Sequence, residues 1–147
     1  MTFAEKEQDI FELSNKDNYY FVQCISSDFK MGKGIALEFN RVFNCKNELV
    51  KEFKNFKWEK TGRCIKAKNS IVFHLITKNR YWDKPTYRTL KESLIELKTL
   101  CIEQNIKKLV MPKIGCGLDK LQWNTVKENI IKIFNDTDIE ILICYLD

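Results

Sequence analysis

Lys107-Lys108-Leu109-Val110-Met111-Pro112-Lys113-Ile114-Gly115-Cys116-Gly117-Leu118-Asp119-Lys120-Leu121-Gln122-Trp123 is the stretch on which the fold turns. It opens with a short apolar run, Lys107 to Met111, that reads as a strand. A glycine-bearing loop follows, Pro112 to Leu118. From Gln122 to about Asn135 the apolar residues Trp123, Val126, Ile130 and Phe134 fall on one side of a helix. Ile139 to Leu146 then closes as an apolar strand. Strand, glycine loop, helix, strand is the repeating unit of a parallel sheet.

The chain before this stretch extends the pattern. Tyr19 to Ile25 reads as a buried strand, Ser26 to Gly34 as a loop, and Ile35 to Phe43 as a helix. A second helical stretch lies near Asn47 to Phe53. Arg63 to Ala67 and Ser70 to Thr77 form a hairpin about Lys68-Asn69. Lys78 to Lys84 is a polar loop ended by Pro85. Thr86 to Gln104 carries Leu90, Leu94, Leu97 and Cys101 on one helical face. The expectation is an α/β sandwich with parallel pairing at its centre, in one domain over residues 1–147. In such sheets ligands bind where loops leave the carboxyl ends of strands. Loops 26–34, 78–85 and 112–119 are therefore the places to look.

Composition narrows the classes. The 147 residues include five glycines and two prolines, too few for a linker-rich or disordered chain. No apolar run reaches the ~18 residues of a membrane span, and the start lacks the pattern of a signal peptide, so an intracellular protein is expected. Six cysteines, Cys24, Cys45, Cys64, Cys101, Cys116 and Cys144, are widely spread and read as reduced, mostly as small buried apolar groups. Cys-x-x-Cys is absent and His74 is the only histidine, which excludes an ordinary zinc site; His74 itself reads as a packed, hydrogen-bonded core residue. The net charge of +5, from 25 Lys and Arg against 20 Asp and Glu, suits an anionic ligand. The cations are interspersed with acids, which falls short of a nucleic-acid footprint.

Four constellations carry chemistry. Lys30-Met31-Gly32-Lys33-Gly34-Ile35-Ala36 brings glycines to a helix start, either a simple turn or a cradle of N–H groups for an anion. Its spacing is not that of a Walker A loop. Gly115-Cys116-Gly117 offers a second such cradle. Asp119, ahead of Gln122, reads either as a helix cap in Asp119-Lys120-Leu121-Gln122 or as an acid, and the two roles are compatible. Cys116 lacks a basic partner for thiol chemistry. Lys78 ends a strand near Arg80; it reads as a surface lysine or, with its amine kept neutral by burial or a neighbouring cation, as a nucleophile. Asp9 with Ile10 is either a solvated acid or an acceptor for an amino group of a base. Trp58, Tyr81 and Trp82 offer faces for stacking.

Taken together these segments resemble a macrodomain, the α/β/α fold that binds ADP-ribose, and more narrowly its terminal ADP-ribose protein glycohydrolase branch. The resemblance runs from about Asp9 to Leu146. It rests on Cys24-Ile25-Ser26 with Met31-Gly32-x-Gly34-Ile35-Ala36, on Leu75-Ile76-Thr77-Lys78, on Lys84-Pro85-Thr86-Tyr87, and above all on Met111 to Trp123. It implies a three-layer α/β/α macrodomain with a mixed, centrally parallel sheet. It implies that Asp9, Ile10 and Leu146 hold the adenine. Ser26, Gly32, Gly34, Ile35 and Ala36 would form one phosphate and ribose wall. Pro112, Ile114, Gly115, Cys116, Gly117 and Leu118 would form the other, with Thr77 beside the nucleophile. Lys78 would be the nucleophilic lysine and Asp119 the catalytic acid.

The implied activity removes ADP-ribose from glutamate or aspartate side chains through a lysine adduct, with O-acetyl-ADP-ribose as a further substrate. The implied partners are ADP-ribose and ADP-ribosylated protein, acting on a monomer without metal, cofactor or membrane. The alternatives are removal of ADP-ribose from a DNA base, as in related antitoxin macrodomains, and a reader that binds without cleaving. The chain departs from the family pattern at Gln8, where a glycine is usual, and at Gln23 and Ser27.

Overall fold

The computed structural model describes residues 1–14, 17–54 and 60–146. The expected stacking role of Trp58 lies outside them. Six strands are present among the described residues: β1 (Thr2–Glu7), β2 (Tyr20–Ser26), β3 (Arg63–Ile65), β4 (Val72–Lys78), β5 (Lys108–Met111) and β6 (Glu140–Tyr145). The helices are α1 (Gly34–Phe43), α2 (Cys45–Glu52), α3 (Tyr87–Gln104) and α4 (Trp123–Phe134), with a 3-10 turn at Ile10–Leu13. The strand order is β1-β6-β5-β2-β4-β3. Every pairing is parallel except β3 with β4, which is the hairpin read from the sequence.

Alternation along the strands feeds two cores. Val22, Phe73, Leu75, Leu109, Met111, Ile141 and Ile143 point to one face, where Leu90, Leu94, Leu97 and Cys101 of α3 and Val126, Ile130 and Phe134 of α4 cover them. Phe21, Ile25, Val72, Ile76 and Val110 point to the other, against Phe39 of α1, Leu49 of α2, and Ile10 and Leu13. A sheet covered on both faces buries its strands throughout, which explains why Val72 to Thr77 of β4 are all buried, His74 included. The result is the three-layer α/β/α arrangement with a mixed sheet.

Local signals set the helix ends. Thr86 caps α3 by accepting from Thr89 N, while Thr89 Oγ1 accepts from Thr86 N, a reciprocal capping box. α3 stops at Asn105 and α1 at Asn44, both in the left-handed conformation that asparagine tolerates. One reading is corrected here. α4 starts after Gln122, which makes no side-chain cap, so Asp119 does not cap the helix. Its carboxylate is drawn into an ion pair instead. All six cysteines are free, four of them buried, with Cys24 and Cys116 half-exposed. Among the described residues no helix is long and apolar enough to cross a membrane.

Candidate active site

Five strands of the sheet, β1-β6-β5-β2-β4, run parallel and so end on one edge. The candidate residues lie along that edge in order. Asp9 and Ile10 follow β1, Leu146 follows β6, Pro112 to Asp119 follow β5, Ser26 ends β2 with the residues to Ala36 after it, and Lys78 ends β4. Neighbouring strands are ~4.8 Å apart, so four steps span about 19 Å. Glu7 pairs with Tyr145 and Gln8 N donates to Tyr145 O at 2.9 Å, so Asp9 and Leu146 leave the sheet side by side.

The edge is not continuous. β2 and β5 pair only at Tyr20 with Leu109 and at Phe21 with Val110. Beyond that β2 keeps β4 as its neighbour and parts from β5. From the ends of these strands the chain turns to opposite faces, to α1 after β2 and to α4 after β5. A crevice at such a switch point is where open α/β sheets hold ligands.

A β-bulge aims the lysine. Ile25 pairs with Ile76 but Ser26 pairs with Lys78, leaving Thr77 as the extra residue on β4. A bulge of this kind redirects the side chain that follows it. The carbonyls around it are all used: Ile76 O accepts from Gly62 N, Thr77 O from Thr89 Oγ1, and Lys78 O from Ser27 N. Lys78 Nζ then donates to Asp119 Oδ1 at 2.7 Å, with side chains only 14% and 17% exposed. The expected cationic neighbour, Arg80, carries its guanidinium 5.5 Å from the centre of the Trp82 ring.

The loop that brings Asp119 to the lysine folds on its own backbone. Gly115 has φ +73°, Lys120 N donates to Gly117 O, and Leu121 N donates to Gly115 O at 2.8 Å. A Cβ on Gly115 would stand 2.9 Å from Leu121 Cδ1. Gly117 and Gly32 face open space on their respective loops. Leu118, 63% exposed, reaches from the second loop to Gly34 of the first, where a Cβ would stand 3.1 Å from its Cδ1. Lys84 Nζ donates to Leu118 O at 3.2 Å and ties the third loop to the second.

Asp28 ties the first loop to the third. Its Oδ1 accepts from Ser26 Oγ and from Lys30 N, and its Oδ2 accepts from Tyr81 N at 3.0 Å. Ser27 Oγ adds a bond to Asn79 O. Ser26 and Thr77 are closed off from solvent, as is Ile10, whereas Leu146 is 70% exposed. Asp9 Oδ1 accepts from Phe11 N and so holds the 3-10 turn. Ile35 is exposed and Ala36 half-buried on the first turn of α1.

Thiol and imidazole chemistry are not set up here. Burial pushes the Cys116 thiol up to about 11 and the Cys24 thiol above its ordinary range. His74 is buried, bonded through Nδ1 to Gln23 Nε2 at 3.2 Å, and desolvation holds its pKa at about 3. Gln23, where the family pattern differs, thus serves as the partner of the core histidine.

The Macro domain family model matches residues 22–130. The chain belongs to the macrodomain family. Human ADP-ribose glycohydrolase OARD1 is 39% identical over 137 residues, covering 92% of this macrodomain and 86% of the human protein. The DNA ADP-ribosyl glycohydrolase of Mycobacterium tuberculosis is 28% identical over 133 residues, 84% of this chain but 37% of the longer relative. Among solved structures the macrodomain of Thermus aquaticus DarG superposes with a TM-score of 0.81 at 20% identity, covering 99% of each chain.

Two features of this macrodomain's site escape a reading of its sequence. Asp28 is the knot between two loops, and only its place in Ser26-Ser27-Asp28 hints at a side chain that turns back on its own backbone. Tyr87 Oη accepts from Gln122 N at 2.9 Å, fixing the start of α4 to that of α3. No local pattern signals that bond.

Proposed function

We propose that this macrodomain is an ADP-ribosyl hydrolase that releases ADP-ribose from the carboxylate of a glutamate or aspartate side chain, with Lys78 as nucleophile and Asp119 as proton carrier. The observation that carries the reading is the order of groups along one sheet edge. Asp9, Ile10 and Leu146 at β1 and β6 suit an adenine. The glycine loops after β5 and β2 suit a diphosphate, whose charge is matched by close N–H groups. The Lys78–Asp119 pair at the far end falls where the distal ribose would lie. The names of the relatives, ADP-ribose glycohydrolase and DNA ADP-ribosyl glycohydrolase, support hydrolysis at the glycosidic carbon of ADP-ribose, and the carboxylate acceptor is this reading's own addition.

The chemistry follows from the contact between the two groups. Asp119 takes a proton from the Lys78 ammonium across their 2.7 Å hydrogen bond. The freed amine attacks C1″ of the ribose, the C1″–O bond to the acceptor breaks, and the acceptor carboxylate departs with the electron pair. Opening of the ribose ring turns the adduct into a Schiff base. Water adds to C1″, Asp119 shuttles protons, and the C1″–N bond breaks to give ADP-ribose and free lysine. An acetyl ester of ADP-ribose presents the same C–O bond once it migrates to C1″, which makes O-acetyl-ADP-ribose a second substrate of this reading.

The test is release of ADP-ribose from a glutamate-ADP-ribosylated protein, followed by liquid chromatography with mass detection. Wild type releases it, while Lys78→Ala and Asp119→Ala do not. Absence of release by wild type, with ADP-ribose still bound, would overturn the carboxylate as acceptor and favour a reader. A second acceptor, a nucleic-acid base, is favoured by the Mycobacterium relative that acts on DNA, and modified single-stranded DNA belongs in the same assay.

A further inference from the structure

Lys84-Pro85-Thr86-Tyr87 carries part of the family resemblance, yet the chemistry above makes no use of it. Its backbone is the start of α3. Pro85 is buried, and Thr86 closes the capping box with Thr89. The two remaining side chains both reach the segment that carries Asp119. Lys84 Nζ donates to Leu118 O at 3.2 Å, the carbonyl of the peptide that joins Leu118 to Asp119. Tyr87 Oη accepts from Gln122 N at 2.9 Å, three residues beyond Asp119. Between these two ties Lys120 takes a φ of +62°, a left-handed conformation that a lysine enters only at a cost. Backbone of that kind persists where its surroundings hold it.

We infer that Lys84 and Tyr87 are positioning residues for Asp119 and that their task falls in the second half of the reaction, an inference that rests on the lysine-adduct reading. In the free protein Asp119 is held by its own ion pair, with Lys78 Nζ at 2.7 Å. In the Schiff base that nitrogen is bonded to C1″. It keeps one N–H in place of the three of an ammonium, and the sugar fixes where it points. Asp119 must still move protons as water adds to C1″ and the C1″–N bond breaks. The carboxylate then depends on its backbone for its place, and that backbone is strained at Lys120. The ties from α3 supply the anchor. Leu90, Leu94, Leu97 and Cys101 fix α3 in the core, so its start does not follow the lysine. A misplacement of about 1 Å in a reacting group costs up to ~10²-fold in rate, which gives two single hydrogen bonds their leverage.

The test is a single-turnover assay on glutamate-ADP-ribosylated protein that reads the two halves of the reaction separately. Cyanoborohydride added at timed intervals traps the adduct, and mass detection follows free ADP-ribose. Lys84→Met and Tyr87→Phe should form adduct at the wild-type rate. Each should then release ADP-ribose about 3–10-fold more slowly, the weight of one hydrogen bond, so that trapped adduct accumulates. The double variant should be slower than either. Lys84→Arg keeps a donor and should restore most of the release rate, and Lys91→Met, which removes an exposed lysine of α3, should match wild type. Release at the wild-type rate in the double variant would overturn the inference. So would formation and release slowed alike, or ADP-ribose affinity lost with both rates intact, since the ties would then merely support the loop. Absence of trapped adduct in wild type would overturn the lysine-adduct reading and this inference with it, whereas the preceding outcomes leave that reading standing.

Discussion

Lys78 and Asp119 reach each other across the gap where β2 and β5 have parted. The lysine ends β4 on one side, the carboxylate belongs to the loop between β5 and α4 on the other, and 2.7 Å separates Nζ from Oδ1. If that contact works as proposed, turnover in the presence of cyanoborohydride should leave ADP-ribose attached through a secondary amine to the peptide containing Lys78. Lys78→Arg should give no adduct. Asp119→Asn should slow release by ~10²–10⁴-fold, the usual weight of a positioned proton carrier. Adduct on any other lysine, located by peptide mass mapping, would reassign the nucleophile.

The glycines separate stability from binding. Gly115 has a left-handed backbone and Leu121 close against its missing Cβ. Gly115→Ala should cost about 1–2 kcal/mol from the backbone alone, and more from the contact, in urea unfolding. Gly117 sits outside the left-handed region and faces open space. Gly117→Ala should unfold like wild type yet bind ADP-ribose at least ~10-fold more weakly by calorimetry, since a methyl group would occupy the place of the diphosphate.

Asp28 gathers three donors from two loops. Asp28→Ala strands buried Ser26 Oγ and frees Tyr81 N, so a loss of about 1–3 kcal/mol is expected. The loop holding Ser26 would lose its tie to the loop after β4, and KM for the modified protein should rise more than kcat falls. Asp28→Asn keeps one acceptor oxygen and should fall between the two.

His74 makes stability depend on acid. In the unfolded chain it takes a proton near 6.5, while burial in the fold delays this to about 3. Between these values the unfolded state binds more protons, so stability falls as pH drops from 6.5 toward 3 and is flat above. The slope from this one group is at most about 1.4 kcal/mol per pH unit. His74→Gln keeps a polar partner for Gln23 and should flatten the limb in urea titrations from pH 4 to 7. An unchanged slope would place the acid sensitivity in other groups.

Much of the architecture was legible in the chain because both cores advertise themselves. Leu90, Leu94, Leu97 and Cys101 mark the buried face of α3, and the run in β4 marks a strand covered on both sides. The strand, loop and helix order around Met111–Trp123 makes the glycine loop stand out in the sequence. What the chain concealed is long-range. A bulge at Thr77 depends on how β4 meets β2, which no local pattern states. Asp119 matched a helix-capping pattern, yet an ammonium brought by a distant strand outweighs the cap that pattern would offer.

The two-pair ladder between β2 and β5 has a mechanical consequence. The sheet is stitched firmly along most of its width and loosely at its middle, so the domain's elasticity is concentrated at one line. Spreading the carboxyl ends costs little of the ladder, because β2 and β5 are paired only at Tyr20 with Leu109 and at Phe21 with Val110. A guest lodged in the gap would act as the missing rungs, and the domain would stiffen where it is filled.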